Sequence, residues 1–165
     1  MTGSDRRNRL ADGRAEWAVD SRGVAERGVL PRTGEVRAFV AEFRGVAEAL
    51  GSRLLTPTAV IEGWLGFVVE CEGGYGDNIY EFDNDLSVRR TIEKLLGDQR
   101  LSDFEQMGWV RNEIAAVDER YRALLGEVEV RPGRPWWEAR VPRLAGAELA
   151  EDFETSYGVR VAVVP

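Results

Sequence analysis

The stretch Leu54–Val88, LLTPTAVIEGWLGFVVECEGGYGDNIYEFDNDLSV, decides the fold. Thr56 followed by Pro57 is a helix start: the hydroxyl can accept from an orphan N–H, and a proline at the first helical position gives up a donor that has no partner there. Val60, Ile61, Trp64, Leu65, Phe67, Val68, Val69 and Cys71 then cover nearly the whole circumference of a helix over residues 56–72, which predicts a central element packed on several sides. Gly63 and Gly66 leave room for a neighbour. A buried strand at WLGFVV is the rival reading, and the length of the run together with the Thr-Pro start favours the helix.

The second half of the stretch changes character. Gly73, Gly74 and Gly76 end the helix, and a loop of aromatics and carboxylates reaches to Asp85, which is placed to cap a third helix over 85–97. Asp83-Asn84-Asp85 invites comparison with a calcium loop. With Asp83 as first ligand, however, the turn glycine falls on Val88 and the closing glutamate on Lys94, so the EF-hand register fails.

Outward from this centre, Val36, Phe39, Val40, Phe43, Val46, Ala47 and Leu50 share one face of a helix over 33–51, with Thr33 at its start and Gly51 as a left-handed stop. Ser102-Asp103-Phe104-Glu105 reads as a capping box opening a helix over 102–126. Over residues 127–165 the period shifts towards two. Val128 and Val130 suggest a strand, Pro132-Gly133 a turn, Trp136 to Val141 a returning strand, Ala145 to Tyr157 a last helix, and Val159, Val161 and Val163 a terminal strand. The expected class is mainly α, a four-helix bundle-like core with a small C-terminal β part, α+β overall. Residues 33–165 would form a single globular domain. Residues 1–32, with seven Arg and five acids, read as a flexible arm whose Trp17 and Val19 could dock on the body, whereas the remaining residues carry a net charge of −9.

Composition excludes more than it identifies. The chain has 165 residues, a net charge of −7, one Cys and no His. Without imidazole, Ser-His-Asp, Cys-His and His-metal chemistry are closed, and Cys71 cannot form an internal disulfide. It reads as a buried structural thiol. The acidic balance argues against nucleic acid and against an anionic membrane surface, and no apolar run has the length of a membrane span. A cytoplasmic location is expected. Arg outnumbers Lys so heavily, with Lys94 the only lysine, that a GC-rich bacterial genome is the expected source.

Two groups of residues invite a function. Glu62, Glu70, Glu72, Asp77, Glu81, Asp83 and Asp85 lie in one stretch without a Lys or Arg. Crowded carboxylates repel one another, so they imply either a positive partner or arginines distant in sequence, for which Arg89, Arg90 and Arg111 are candidates. Tyr75, Tyr80 and Phe82 interleave with these acids, as in a surface where rings supply buried area and carboxylates steer. Trp136 and Trp137, if on a strand, would face opposite ways and expose one ring.

A small, acidic, His-free, mostly helical chain with this aromatic and acidic stretch, Glu70 to Asp85 with Tyr75 and Tyr80, resembles in architecture and charge the bacterial immunity proteins that neutralise colicin-type toxin nucleases. That resemblance implies a non-enzymatic inhibitor whose acidic loop fills a toxin's basic groove. The arginines at residues 6 to 14 have no counterpart in that picture. The expectation is therefore a module that takes no cofactor or metal and binds a basic protein, such as a toxin, through Tyr75, Asp77, Tyr80, Glu81, Asp83, Asp85 and Trp137. The alternatives are a divalent-metal carboxylate enzyme using Glu70, Glu72, Asp83 and Asp85, and an accessory subunit with a Trp-lined oligomer interface.

Overall fold

The structure is a computed structural model, and it describes residues 33–165. The expected arm over 1–32, with Trp17 and Val19, lies outside the described residues. Seven helices and two short strands follow one another: α1 Thr33–Ala49, α2 Pro57–Glu72, α3 Ile79–Leu96, α4 Gln99–Ser102, α5 Gln106–Leu124, α6 Trp136–Ala139, β1 Leu144–Ala145, α7 Ala147–Tyr157 and β2 Ala162–Val163. The class is the expected one, mainly helical with a small β part.

α2 is the central element, with α3, α5 and β1 all packed on it. Its start is as read from the sequence: Thr56 Oγ1 accepts from Ala59 N at 3.1 Å, and Pro57 opens the first turn. Trp64, Val68 and Cys71 are sealed from solvent, and Phe67 joins Trp64, Tyr75, Phe82 and Tyr121 in a cluster of rings 5.1–5.8 Å apart. Burying each such large apolar side chain contributes about 1.5–3 kcal/mol, and paired rings add to that. Gly63 does admit a neighbour, since a Cβ there would lie 2.6 Å from Leu54 Cδ1, whereas Gly66 faces open space. α1 ends as expected, with Gly51 at φ +72°.

Three expectations are corrected. The third helix begins at Ile79 rather than Asp85, because Asn78 Oδ1 accepts from both Tyr80 N and Glu81 N. Asp85 is therefore inside α3 and not its cap. The supposed box at Ser102 is not one: Ser102 closes the short α4 and donates its hydroxyl to Gln99 O at 2.7 Å, and α5 starts at Gln106 without a side-chain cap. Trp136 and Trp137 belong to a single helical turn, α6, in which Glu138 N and Ala139 N donate to Pro135 O at 2.8 and 2.9 Å.

The chain does return antiparallel around that turn. Gly126 N bonds Val141 O, Arg143 N bonds Leu124 O, and Val130 N bonds Ala139 O, but this leaves only an isolated bridge between Leu125 and Pro142. The two named strands pair in parallel, Leu144 with Ala162 and Ala145 with Val163, and α7 crosses between them. α7 stops at Gly158, φ +67°, as its sequence predicts. Among the described residues, no helix is long and apolar enough to cross a membrane.

Candidate functional site

The seven-acid stretch is divided by the fold. Glu72, at the end of α2, takes a two-pronged bond from Arg120 at 2.9 and 2.7 Å, which holds its carboxyl below the usual glutamate value. Asp83 takes Arg131 on both carboxylate oxygens at 2.9 and 2.7 Å. Each arginine lies 48 residues away in sequence. The expected counter-charges are engaged elsewhere: Arg89 binds Asp118 and Glu93, Arg90 binds Glu138, and Arg111 donates to Leu96 O. Glu62, Glu70, Asp77, Glu81 and Asp85 have no Lys or Arg within ion-pair distance among the described residues.

Three of these five line one groove. It lies between α2 and α3, with a volume of about 700 Å³, and carries Glu62 and Glu70 on its α2 wall and Asp85 on its α3 wall. Leu54, Phe67 and Val88 contribute its apolar lining, Gly66 keeps its α2 side low, and Arg53 is the one basic residue among those that line it. Glu62 and Glu70 are eight residues apart, two turns along one helix face, and Glu81 precedes Asp85 by four on α3. The negative wall thus continues towards the exposed Asp77 and Glu81 at the start of α3.

The aromatic residues behave differently from one another. Tyr75 is 3% exposed and donates its hydroxyl to Asp85 Oδ2 at 2.7 Å, so its ring belongs to the core and its hydroxyl holds a carboxylate of the groove wall. Burial, that bond and the neighbouring charges of Asp85, Glu70 and Asp77 push its phenol well above the ordinary tyrosine value. As a partner contact Tyr75 is corrected to a support for Asp85. Tyr80 is 82% exposed and remains available on the first turn of α3.

Trp137 is likewise corrected. It is 6% exposed, with the Arg89 guanidinium 4.6 Å from its ring centre, while Trp136 lies beneath Arg122 at 3.5 Å. Neither ring offers the open face that a Trp-lined interface needs. Among the described residues the exposed tryptophan is Trp109, which no pattern in the sequence singles out.

Asp83 and Asp85 point to different places, and this also separates the four acids of the metal-enzyme reading. On a helix, residues two apart diverge by roughly 200°. Asp85 faces the acidic groove, Asp83 a separate cavity of about 460 Å³ lined with Arg90, Arg131 and Arg134. With Glu72 held by Arg120, the set Glu70, Glu72, Asp83 and Asp85 does not converge. Among the described residues, no three Cys, Asp or Glu side chains gather as metal ligands. Cys71 is buried, and burial with the charges of Glu70, Asp85 and Glu72 pushes its thiol up, away from the reactive thiolate.

Comparison with protein-family models, with curated proteins and with solved structures finds nothing that matches this chain.

Proposed function

We propose that the protein is a binding module for a basic protein segment, which it receives in the groove between α2 and α3. The observation that carries this reading is the row of carboxylates Glu62, Glu70 and Asp85 around that groove, continued by Asp77 and Glu81, all without an ion-pair partner among the described residues. Their repulsion disfavours the folded state unless something positive offsets it. By contrast Glu72, Asp83, Asp118 and Glu138 each have an arginine partner.

The groove offers an entering chain apolar contact from Leu54, Phe67 and Val88 and charge from the rim. Lys or Arg side chains would reach the carboxylates while their stems cover the apolar lining. Tyr80 adds an exposed ring of the kind that anchors interfaces. Inhibition of a basic toxin or nuclease is the narrower form of this reading, supported by charge and helical architecture alone.

The test uses the full chain, tagged, against the double variant Glu62→Lys/Glu70→Lys, whose side chains are exposed and can change without loss of core contacts. The expected result is capture of a stoichiometric basic protein at low salt, released by salt and lost in the variant. Capture of the same protein by wild type and variant alike overturns the assignment to this groove.

A further inference from the structure

On the far wall of α3, the cavity of about 460 Å³ gathers Arg90, Arg131 and Arg134 in a protein whose net charge is −7. Two of the three guanidinium groups are held by one edge. Arg131 commits Nε to Tyr157 Oη at 2.8 Å and Nη2 to Asp83 and Tyr157. Arg90 commits Nε and Nη2 to Glu138 Oε1 at 3.1 and 2.6 Å. Neither uses Nη1 in a bond to a described residue. Arg134 makes no hydrogen bond to a described residue and only approaches Glu138 Oε2 at 3.9 Å.

The acids here orient the arginines more than they cancel them. Glu138 is buried, with 5% of its side chain exposed, so it fixes the Arg90 head as a static support, and Asp83 with Tyr157 does the same for Arg131. Three positive charges against two negative leave the cavity net positive, with Nη1 donors unspent on Arg90 and Arg131 and the Arg134 head free of hydrogen bonds to described residues. Preorganised guanidinium edges suit a tetrahedral oxyanion, because planar donor pairs match its oxygens and the arginine charge does not titrate away. Tyr80, also on the cavity wall, sets a ring beside this donor set.

We propose that this cavity is a binding site for a phosphate monoester, its dianion taken by Arg90, Arg131 and Arg134 and its organic group placed against Tyr80. The site is distinct from the acidic groove and does not depend on the function proposed for it.

Isothermal titration of the full chain with inorganic phosphate, phenyl phosphate and a phosphotyrosine peptide, each at ionic strength matched with chloride, tests the proposal. Saturable binding of phosphate is expected, tighter for phenyl phosphate because of Tyr80. A further gain for the peptide assigns the ester to a protein, and no gain assigns it to a small molecule. Arg134→Gln, which removes a side chain without a bonded partner, should weaken phosphate binding about tenfold, the loss expected of one charge-assisted contact. Tyr80→Phe should bind as wild type and Tyr80→Ala should lose the phenyl preference. No saturation at millimolar phosphate, an equal response to chloride, or unchanged affinity in Arg134→Gln overturns it.

Discussion

Arg89 and Asp118, 29 residues apart, meet through two parallel hydrogen bonds of 2.9 Å, Nε to Oδ1 and Nη2 to Oδ2. The Asp118 carboxylate also accepts from Trp64 Nε1 at 3.0 Å, so one acid ties α5 to both α2 and α3. Arg89 is 4% exposed, beneath Trp137. Removing Asp118 leaves the buried Arg89 with only the exposed Glu93 as counter-charge, and removing Arg89 strands the Asp118 carboxylate. Asp118→Ala should cost about 3–5 kcal/mol, and Arg89→Met, which removes the buried cation but strands the acid, should also destabilise. Urea denaturation read by tryptophan fluorescence measures both.

The Tyr75 hydroxyl gives a second, smaller test. Tyr75→Phe removes its bond to Asp85 and should cost about 1 kcal/mol while leaving the ring cluster in place. The phenol of Tyr75 is raised in the folded chain, so its contribution is present below the ordinary tyrosine value and fades as pH climbs above it. Wild-type stability should therefore fall more steeply than that of Tyr75→Phe above about pH 10. Denaturation midpoints across that window decide it.

At the acid end the sign reverses. The bond from Arg120 lowers the Glu72 carboxyl in the folded chain, so the pair stabilises at neutral pH and its contribution is lost as pH falls below the usual glutamate range. Arg120→Gln should return the Glu72 titration to that range, as read by carboxyl-carbon NMR. Added salt should shrink the difference between variant and wild type, since the pair is solvated.

Gly146 and Gly74 mark where the β part closes on the loop after α2. A Cβ at Gly146 would meet Tyr75 O at 2.9 Å and Gly76 Cα at 3.0 Å, both backbone atoms that cannot swing away. Gly146→Ala should cost about 1–3 kcal/mol, and Gly74→Ala, at φ +86° and crowding Val164, at least as much. Gly66→Ala, with open space around it, is the control and should be near neutral or slightly stabilising in thermal melts.

The sequence made α1, α2 and α7 legible because their apolar faces keep helical spacing and their ends carry a Thr-Pro start or a left-handed glycine. α3 was cut short for an identifiable reason. The part missed is its N-terminal end, where Asn78 with Glu81 three residues on is the cap signal that the acidic, aromatic composition of the segment disguises. Ser102 with Glu105 satisfied the same pattern where no cap forms, because local spacing does not say which hydroxyl the tertiary fold leaves unengaged.

The site was legible in composition and not in partition. That carboxylates outnumber local cations was evident, but the pairing of Glu72 with Arg120 and Asp83 with Arg131 crosses 48 residues and depends on how α5 and the 131–134 turn return to α2 and α3. The arginine cavity left one trace in the sequence, Arg131 and Arg134 bracketing Pro132-Gly133. Its third member, Arg90, sits on α3 far from them along the chain.

Asn84 lines both the acidic groove and the arginine cavity, so the width of a single helix separates opposite potentials. At physiological salt charges are felt over about 8 Å, so a visitor near one wall is largely deaf to the other. The overall charge of −7 draws cations from afar and turns anions aside, which makes the groove quick to find and the cavity slow. A molecule bearing both signs would feel the two walls together only in contact, and its direction across α3 would then be fixed by which end each wall accepts.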